Sequence, residues 1–284
     1  MKMDLKRLKD TPPWEWPEGA GKMFLTILRN DKAKKSDRLL AAELAGDYVV
    51  INDELADALL SILGKSDEPE QLRSQSAISL GPALEQADTY GFEDADDILI
   101  SEDTFRSVQE KLRKFYMDTD VSKEVRRRIL EASVRAPQSW HENAVRAAYS
   151  SRDEDWKLTA VFCMQFIRGF DDQILESLDS KNEDIHYEAV CAAGNWGVDA
   201  AWPHIAALVG SEKTDKDLLL AAIGAIALIR PEEASAILVD LTHSDDEEIV
   251  EAAYEAMAMA EPWEEDEDDE DDDEDDDEDD KLLH

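Results

Sequence analysis

The sequence predicts an all-α chain: a solenoid of about seven antiparallel helix pairs, followed by a disordered acidic C-terminal tail. Three observations carry that reading. A ten-residue motif recurs seven times, each copy follows a second amphipathic run with apolar residues at three- and four-residue steps, and strand-like alternation is nearly absent. The expected organisation is a Trp/Pro segment and cap over 1–21, a repeat domain over 22–260 and the tail over 261–284.

The motif is clearest as IHYEAVCAAG, from Ile185 to Gly194. Related stretches start at Asp37, Leu72, Val125, Trp156, Leu218 and Ile249, so the steps are 35, 53, 31, 29, 33 and 31 residues. The second place is basic in five copies: Arg38, Arg73, Arg126, Lys157 and His186. The residue before the motif is acidic in five: Glu124, Asp155, Asp184, Asp217 and Glu248. At the fifth place stand Ala41, Ser76, Ile129, Ala160, Ala189, Ala222 and Ala253. A helix stacked between neighbours on two sides needs small residues where backbones approach closely. Gly46, Gly81 and Gly194 fall where a glycine commonly ends a helix.

Along the chain, TPPWEWP sets Trp14 and Trp16 between prolines and reads as an extended segment covering the first pair. The first helices of the pairs are then KMFLTILRN, ELADALLSILG, TFRSVQEKLRKFY, HENAVRAAYS, DQILESLDS, AAWPHIAALVG and EEASAILVDLT. Short polar turns such as SSRDED, DSKNED and HSDDEE join each to its motif helix. The long step holds a polar acidic insert at about 85–101, after which Ser101 is the expected N-cap of the next helix.

With these residues in view, the chain resembles HEAT repeats, whose second helix has the form D-V-R-x-x-A-A-x-A-L-G. The 29–33-residue steps look most like the compact variety seen in many bacterial proteins, and Pro203 resembles the proline often found in a HEAT first helix. Leu219 and Val250 depart from the pattern at the basic place. The resemblance implies an α-solenoid, armadillo-like in architecture, and it implies no active site. In such stacks the basic column pairs with acidic turn residues of adjacent units.

Net charge is −39, and the seventeen consecutive Asp and Glu of 264–280 leave −22 on the remainder. A field of that sign repels nucleic acid and anionic membranes and favours a basic protein partner. Cys163 and Cys191 lie in apolar runs without CxxC pairing, which reads as two reduced thiols in a cytoplasmic protein. No phosphate loop, nucleophile elbow or HExxH is present, and His141, His186, His204, His243 and His284 lack metal-ligand spacing. Asp94, Asp96, Asp97 and Glu102 miss the calcium loop, because Leu99 and Phe105 occupy its glycine and glutamate places.

The expectation is therefore a monomeric, non-enzymatic scaffold with no cofactor or metal, which holds a protein partner on its second helices. The candidate contacts are Arg127 and Arg128 of the Arg126–Arg128 cluster, with Phe162 and Tyr187 as apolar anchors on the same stretch of the stack. The other readings are a HEAT-fold enzyme of lyase or glycosylase type, for which no residue carries over, and a chaperone-like binder of basic proteins with the tail as bait. The aromatic rows around Trp140, Trp156, Trp196 and Trp202 read as core.

Seventeen like charges bury nothing and repel one another. Deleting 264–280 should leave the unfolding temperature unchanged or slightly raised, most visibly at low salt, where screening is weakest. A lowered unfolding temperature, or amide-exchange protection within the segment, would contradict this.

Overall fold

A computed structural model describes residues 4–94 and 98–260. The tail, and the expectation of disorder attached to it, lie outside the described residues, as do Asp96 and Asp97 of the acidic insert. Every regular element among the described residues is helical. None of these helices is long and apolar enough to cross a membrane.

The chain begins with α1 (Leu5–Lys9), whose N-cap Asp4 accepts from the Lys6 amide at 3.1 Å. Next come α2 (Ala20–Leu28) and α3 (Lys35–Leu44), then α4 (Asp53–Gly64) and α5 (Glu70–Ile78). An extra helix, α6 (Gly81–Tyr90), precedes α7 (Glu102–Met117) and α8 (Lys123–Ser133). The rest alternates regularly: α9 (His141–Tyr149) and α10 (Glu154–Cys163), α11 (Asp171–Leu178) and α12 (Glu183–Asn195), α13 (Trp202–Val209) and α14 (Lys216–Ile229), α15 (Pro231–Leu238) and α16 (Glu247–Ala260). All seven expected pairs form. We number them units 1 to 7, with α3, α5, α8, α10, α12, α14 and α16 as second helices.

Polar turn residues start the helices as the sequence implies. Asn52, Ser101, Asp153, Asn182 and Asp215 each accept a backbone N–H from the first turn of the helix they precede. The insert departs from expectation, because α6 claims its first part. Gly81 and Pro82 open that helix, proline being tolerated in a first turn where its missing N–H is not needed.

Second helices of successive units pack directly on one another, α3 on α5, α5 on α8, and so on to α14 on α16. All seven residues at the fifth motif place are completely buried in that row. Gly46 does follow the C-cap Ala45 of α3, but Gly81 and Gly194 do not end helices. Gly194 lies inside α12, and a Cβ there would stand 2.7 Å from the Cα of Ala225 on α14. A Cβ on Gly46 would strike the Ser79 carbonyl after α5, and one on Gly81 would meet the Arg135 side chain at 2.8 Å. Their role is close approach between adjacent units. Left-handed backbone after α12 falls instead to Gly197, at φ 56°.

The basic column also needs correcting. Arg38 does reach the next unit: its guanidinium holds Glu68 through two 2.7 Å hydrogen bonds. It also donates to the Leu28 carbonyl at the end of its own first helix. Arg73 donates to Leu63 O at 2.9 Å and Arg126 to Tyr116 O at 2.8 Å, each ten residues upstream. These arginines stabilise the C-terminal carbonyls of their own unit's first helix, where a helix end favours a cation. Lys157 sits over the Tyr149 ring and 3.6 Å from Glu176, and His186 turns to His204.

At the N-terminus, residues 13–15 form a 3₁₀ turn where an extended segment is expected. The Trp16 indole donates to the Leu8 and Thr11 carbonyls and meets Phe24 edge-on at 5.5 Å, so Trp16 carries the cap. Trp14 stays 79% exposed.

Ala189→Leu should cost about 1–3 kcal/mol, because the row has no space for the added carbons. Gly194→Ala should also destabilise, since Ala225 backbone stands in the way of the new methyl. Urea unfolding measures both, and an unchanged midpoint for either would refute this packing.

Candidate protein-binding face

The motif register decides what each second helix shows on the side away from its first helix. Places three, four and seven share one stripe, because residues three and four apart are neighbours on a helix, and place eleven follows in the turn just past the helix end in units 3 and 4. In units 3 to 5 that stripe holds Arg127, Arg128, Glu131 and Arg135, then Leu158, Thr159, Phe162 and Phe166, then Tyr187, Glu188 and Cys191.

Of the expected contacts, Arg127 is not available. It is 5% exposed, donates to Thr159 Oγ1 at 2.9 Å and to Glu124 Oε2 at 2.8 Å. Thr159 in turn donates to the buried Glu131 at 2.6 Å. Arg128 closes the network, donating to Glu124 at 2.9 Å and to Glu131 at 2.7 Å. A charge buried between units 3 and 4 must be matched, since a stranded partner costs about 3–5 kcal/mol. The arginine that turns outward is Arg128, with 39% of its side chain exposed.

Phe162 is half-buried, 5.5 Å from Phe166, and the Arg135 guanidinium stacks over both rings. Arg135 also ion-pairs with Glu85 on α6, and Tyr48, 49% exposed, lies in the field of both charges. Gln165 donates to Glu188 at 2.5 Å and ties unit 4 to unit 5. Tyr187 is 39% exposed beside Cys191. Phe162, Tyr187 and Arg128 therefore share one face, extended by Phe166, Arg135 and Tyr48. Arg135 and Phe166 were readable one turn beyond place seven. Tyr48 sits in a turn and gave no periodic signal.

Burial and the nearby carboxylates push Glu188 up to about 7, while the Gln165 hydrogen bond pulls the other way. Cys191 is raised to about 11 and Cys163 well above the ordinary thiol, chiefly by burial, so both free cysteines are protonated near neutral pH. His141 is held down at about 4 by burial. Its Nδ1 accepts from the Gln138 amide and its Nε2 faces Ser133 Oγ, a neutral structural histidine. Trp140 and Trp196 anchor the core, Trp140 stacked on Tyr116 and Trp196 donating to Met164 O.

Beyond Tyr187 the face opens into a groove of about 920 Å³ between α12, the C-terminal end of α13 and the start of α14. Its walls include Tyr187, Leu208, Leu218 and Leu220, and its rim includes Glu183, Asp184, Asp215 and Asp217. His186 lines it as well, with its Nε2 2.9 Å from that of His204 on α13.

A glutamate with a raised folded pKa favours the folded state fully only below its unfolded value of 4.5, and loses that advantage as pH rises through 7. Glu188→Gln should therefore flatten the pH dependence of stability between about 4.5 and 7 and raise the unfolding temperature above pH 7. Thermal melts across that range test it, and an unchanged slope would contradict it.

The family model for HEAT repeats matches residues 171–258, which run from the start of α11 into α16. Among solved structures, the Escherichia coli protein YibA is 14% identical, over 87% of this chain and 84% of its own, with a TM-score of 0.45. Human deoxyhypusine hydroxylase is 16% identical over 91% of each chain, at a TM-score of 0.40. A designed armadillo repeat protein is 15% identical over 84% of this chain and 99% of its own, at 0.34. Likeness at these scores carries no role across to this chain. No curated protein matches it. The family model for HEAT repeats thus falls on units 5 to 7, and the same pair architecture and motif run back to unit 1.

Proposed function

We propose that this chain is a non-enzymatic, cytoplasmic scaffold that binds a protein partner on the second-helix face of units 3 to 5. The observation that carries the reading is the run of incompletely buried aromatics there. Phe162 and Tyr187 sit on close-packed helices and Phe166 in the turn just after α10, bordered by Arg128 and Arg135. Rings held in place by a fixed backbone lose little entropy on binding, and aromatic and arginine anchors dominate interface energies. The face combines these anchors with a negative body charge, which favours a partner of basic character.

Arg127 is excluded from the contact set because it is committed to the buried network, and substituting it would test folding rather than binding. The informative variant is Phe162→Ser with Tyr187→Ser, at positions where both rings are partly exposed. Partners captured from extract by the wild-type chain and identified by mass spectrometry should bind this variant about thirtyfold more weakly, the loss of one hot-spot anchor or more. Its circular dichroism and unfolding temperature should stay close to wild type. Full-strength binding by the folded variant would overturn the proposal.

A further inference from the structure

We infer that the groove between α12 and α14 takes a lysine or arginine side chain from a basic segment of a protein partner, an inference that rests on the scaffold reading. A paired carboxylate stands before the motif in units 4, 6 and 7, bridged by a lysine of the preceding unit at units 4 and 7 and left without one at unit 6.

Two residues before the motif, Lys123 of unit 3 reaches the acids flanking the equivalent place of unit 4. Its ammonium lies 2.9 Å from Asp153 and 2.8 Å from Asp155. Lys216 of unit 6 does the same with Asp246 and Glu248 of unit 7, both at 2.7 Å. In each rung the two carboxylates stand one and three places before the motif, and one ammonium bridges them. The raised pKa of Lys123, caused first by its hydrogen bond to Asp155, shows that this geometry favours a cation.

Between units 5 and 6 the carboxylate half of the rung is present as Asp215 and Asp217, three and one places before Leu218. The lysine half is not. Glu183 stands at the place of Lys123 and Lys216, so a third carboxylate comes where the ammonium belongs. That position opens onto the groove, whose rim carries Glu183, Asp184, Asp215 and Asp217 against a single cation, Lys213. Its wall is apolar, with Tyr187, Leu208, Leu218 and Leu220. Lysine and arginine match such a site with both parts of the side chain, the stem along the leucines and the charged head at the rim. A partner supplying that side chain completes the rung in trans. The groove also begins at Tyr187, so it continues the aromatic face.

The test uses the full chain and a fluorescein-labelled peptide of alternating lysine and leucine. Glu183→Lys supplies the missing ammonium in cis, and it should weaken peptide binding about tenfold. Its unfolding temperature should equal or exceed that of wild type. Glu232→Lys on the exposed first turn of α15 makes the same change in net charge and should alter affinity less than about twofold, the scale of a remote surface charge. Asp215→Asn with Asp217→Asn, which adds no new bulk, should repeat the loss seen with Glu183→Lys. Equal effects of Glu183→Lys and Glu232→Lys would show that only overall charge attracts the peptide, and would overturn the inference. Binding of a glutamine–leucine peptide as tight as the lysine one would do the same, as would no binding to the wild-type chain. If Phe162→Ser with Tyr187→Ser abolishes partner capture while Glu183→Lys leaves capture and peptide binding intact, the groove reading falls and the scaffold stands.

Discussion

The structure depends on how closely one second helix can approach the next. Ala160, Ala189 and Ala222 at the fifth motif place have no exposed surface, and Gly194 meets Ala225 where even a methyl group would collide. A helix flanked on both sides cannot separate from one neighbour without pressing on the other, so a small residue recurs at this place in six of the seven units, with Ile129 of unit 3 the exception. The row they permit is a continuous spine. The first helices, with larger residues such as Phe24, Leu59 and Ile174, then fill the second layer against it.

Close approach has polar consequences. Helix ends brought near one another leave carbonyls to satisfy, and Arg38, Arg73 and Arg126 answer that need from the adjacent helix of the same unit. Between units 3 and 4 the spine takes in charge as well, and Arg127, Arg128, Glu124, Glu131 and Thr159 satisfy one another there. Of the basic cluster that stands out in an acidic sequence, Arg127 is thus buried in a joint between units, while Arg128 and its partner Glu124 turn partly to solvent.

The repeat also makes departures informative. Where all units agree, the residues serve the stack. Where one unit breaks the pattern without loss of packing, the difference is free for another use. The Asp215 and Asp217 pair, which lacks the bridging lysine that its counterparts in units 4 and 7 have, is such a difference, and so are the partly exposed aromatic residues of α10 and α12. The two adjoin at Tyr187, which joins an apolar strip on units 4 and 5 to an acidic groove between units 5 and 6. A partner with a hydrophobic anchor and a basic residue a short distance away would engage both.

The sequence by itself determined the number of helix pairs, their order and the buried small-residue row. Those features follow from local periodicity and from a constraint repeated seven times, which makes them visible in one dimension. The Ser101 cap was legible for the same reason, since capping is settled within four residues. Tertiary structure alone decided that Gly46, Gly81 and Gly194 serve contacts between units, that α6 occupies part of the insert, and that Arg127 is buried while Arg128 faces out. Adjacent arginines on a helix differ by about 100° in direction, so a cluster in sequence cannot say which member meets the neighbouring unit. The groove was equally hidden, because it lies between residues some thirty positions apart on three helices, and only the packed stack places Glu183 across from Asp215 and Asp217.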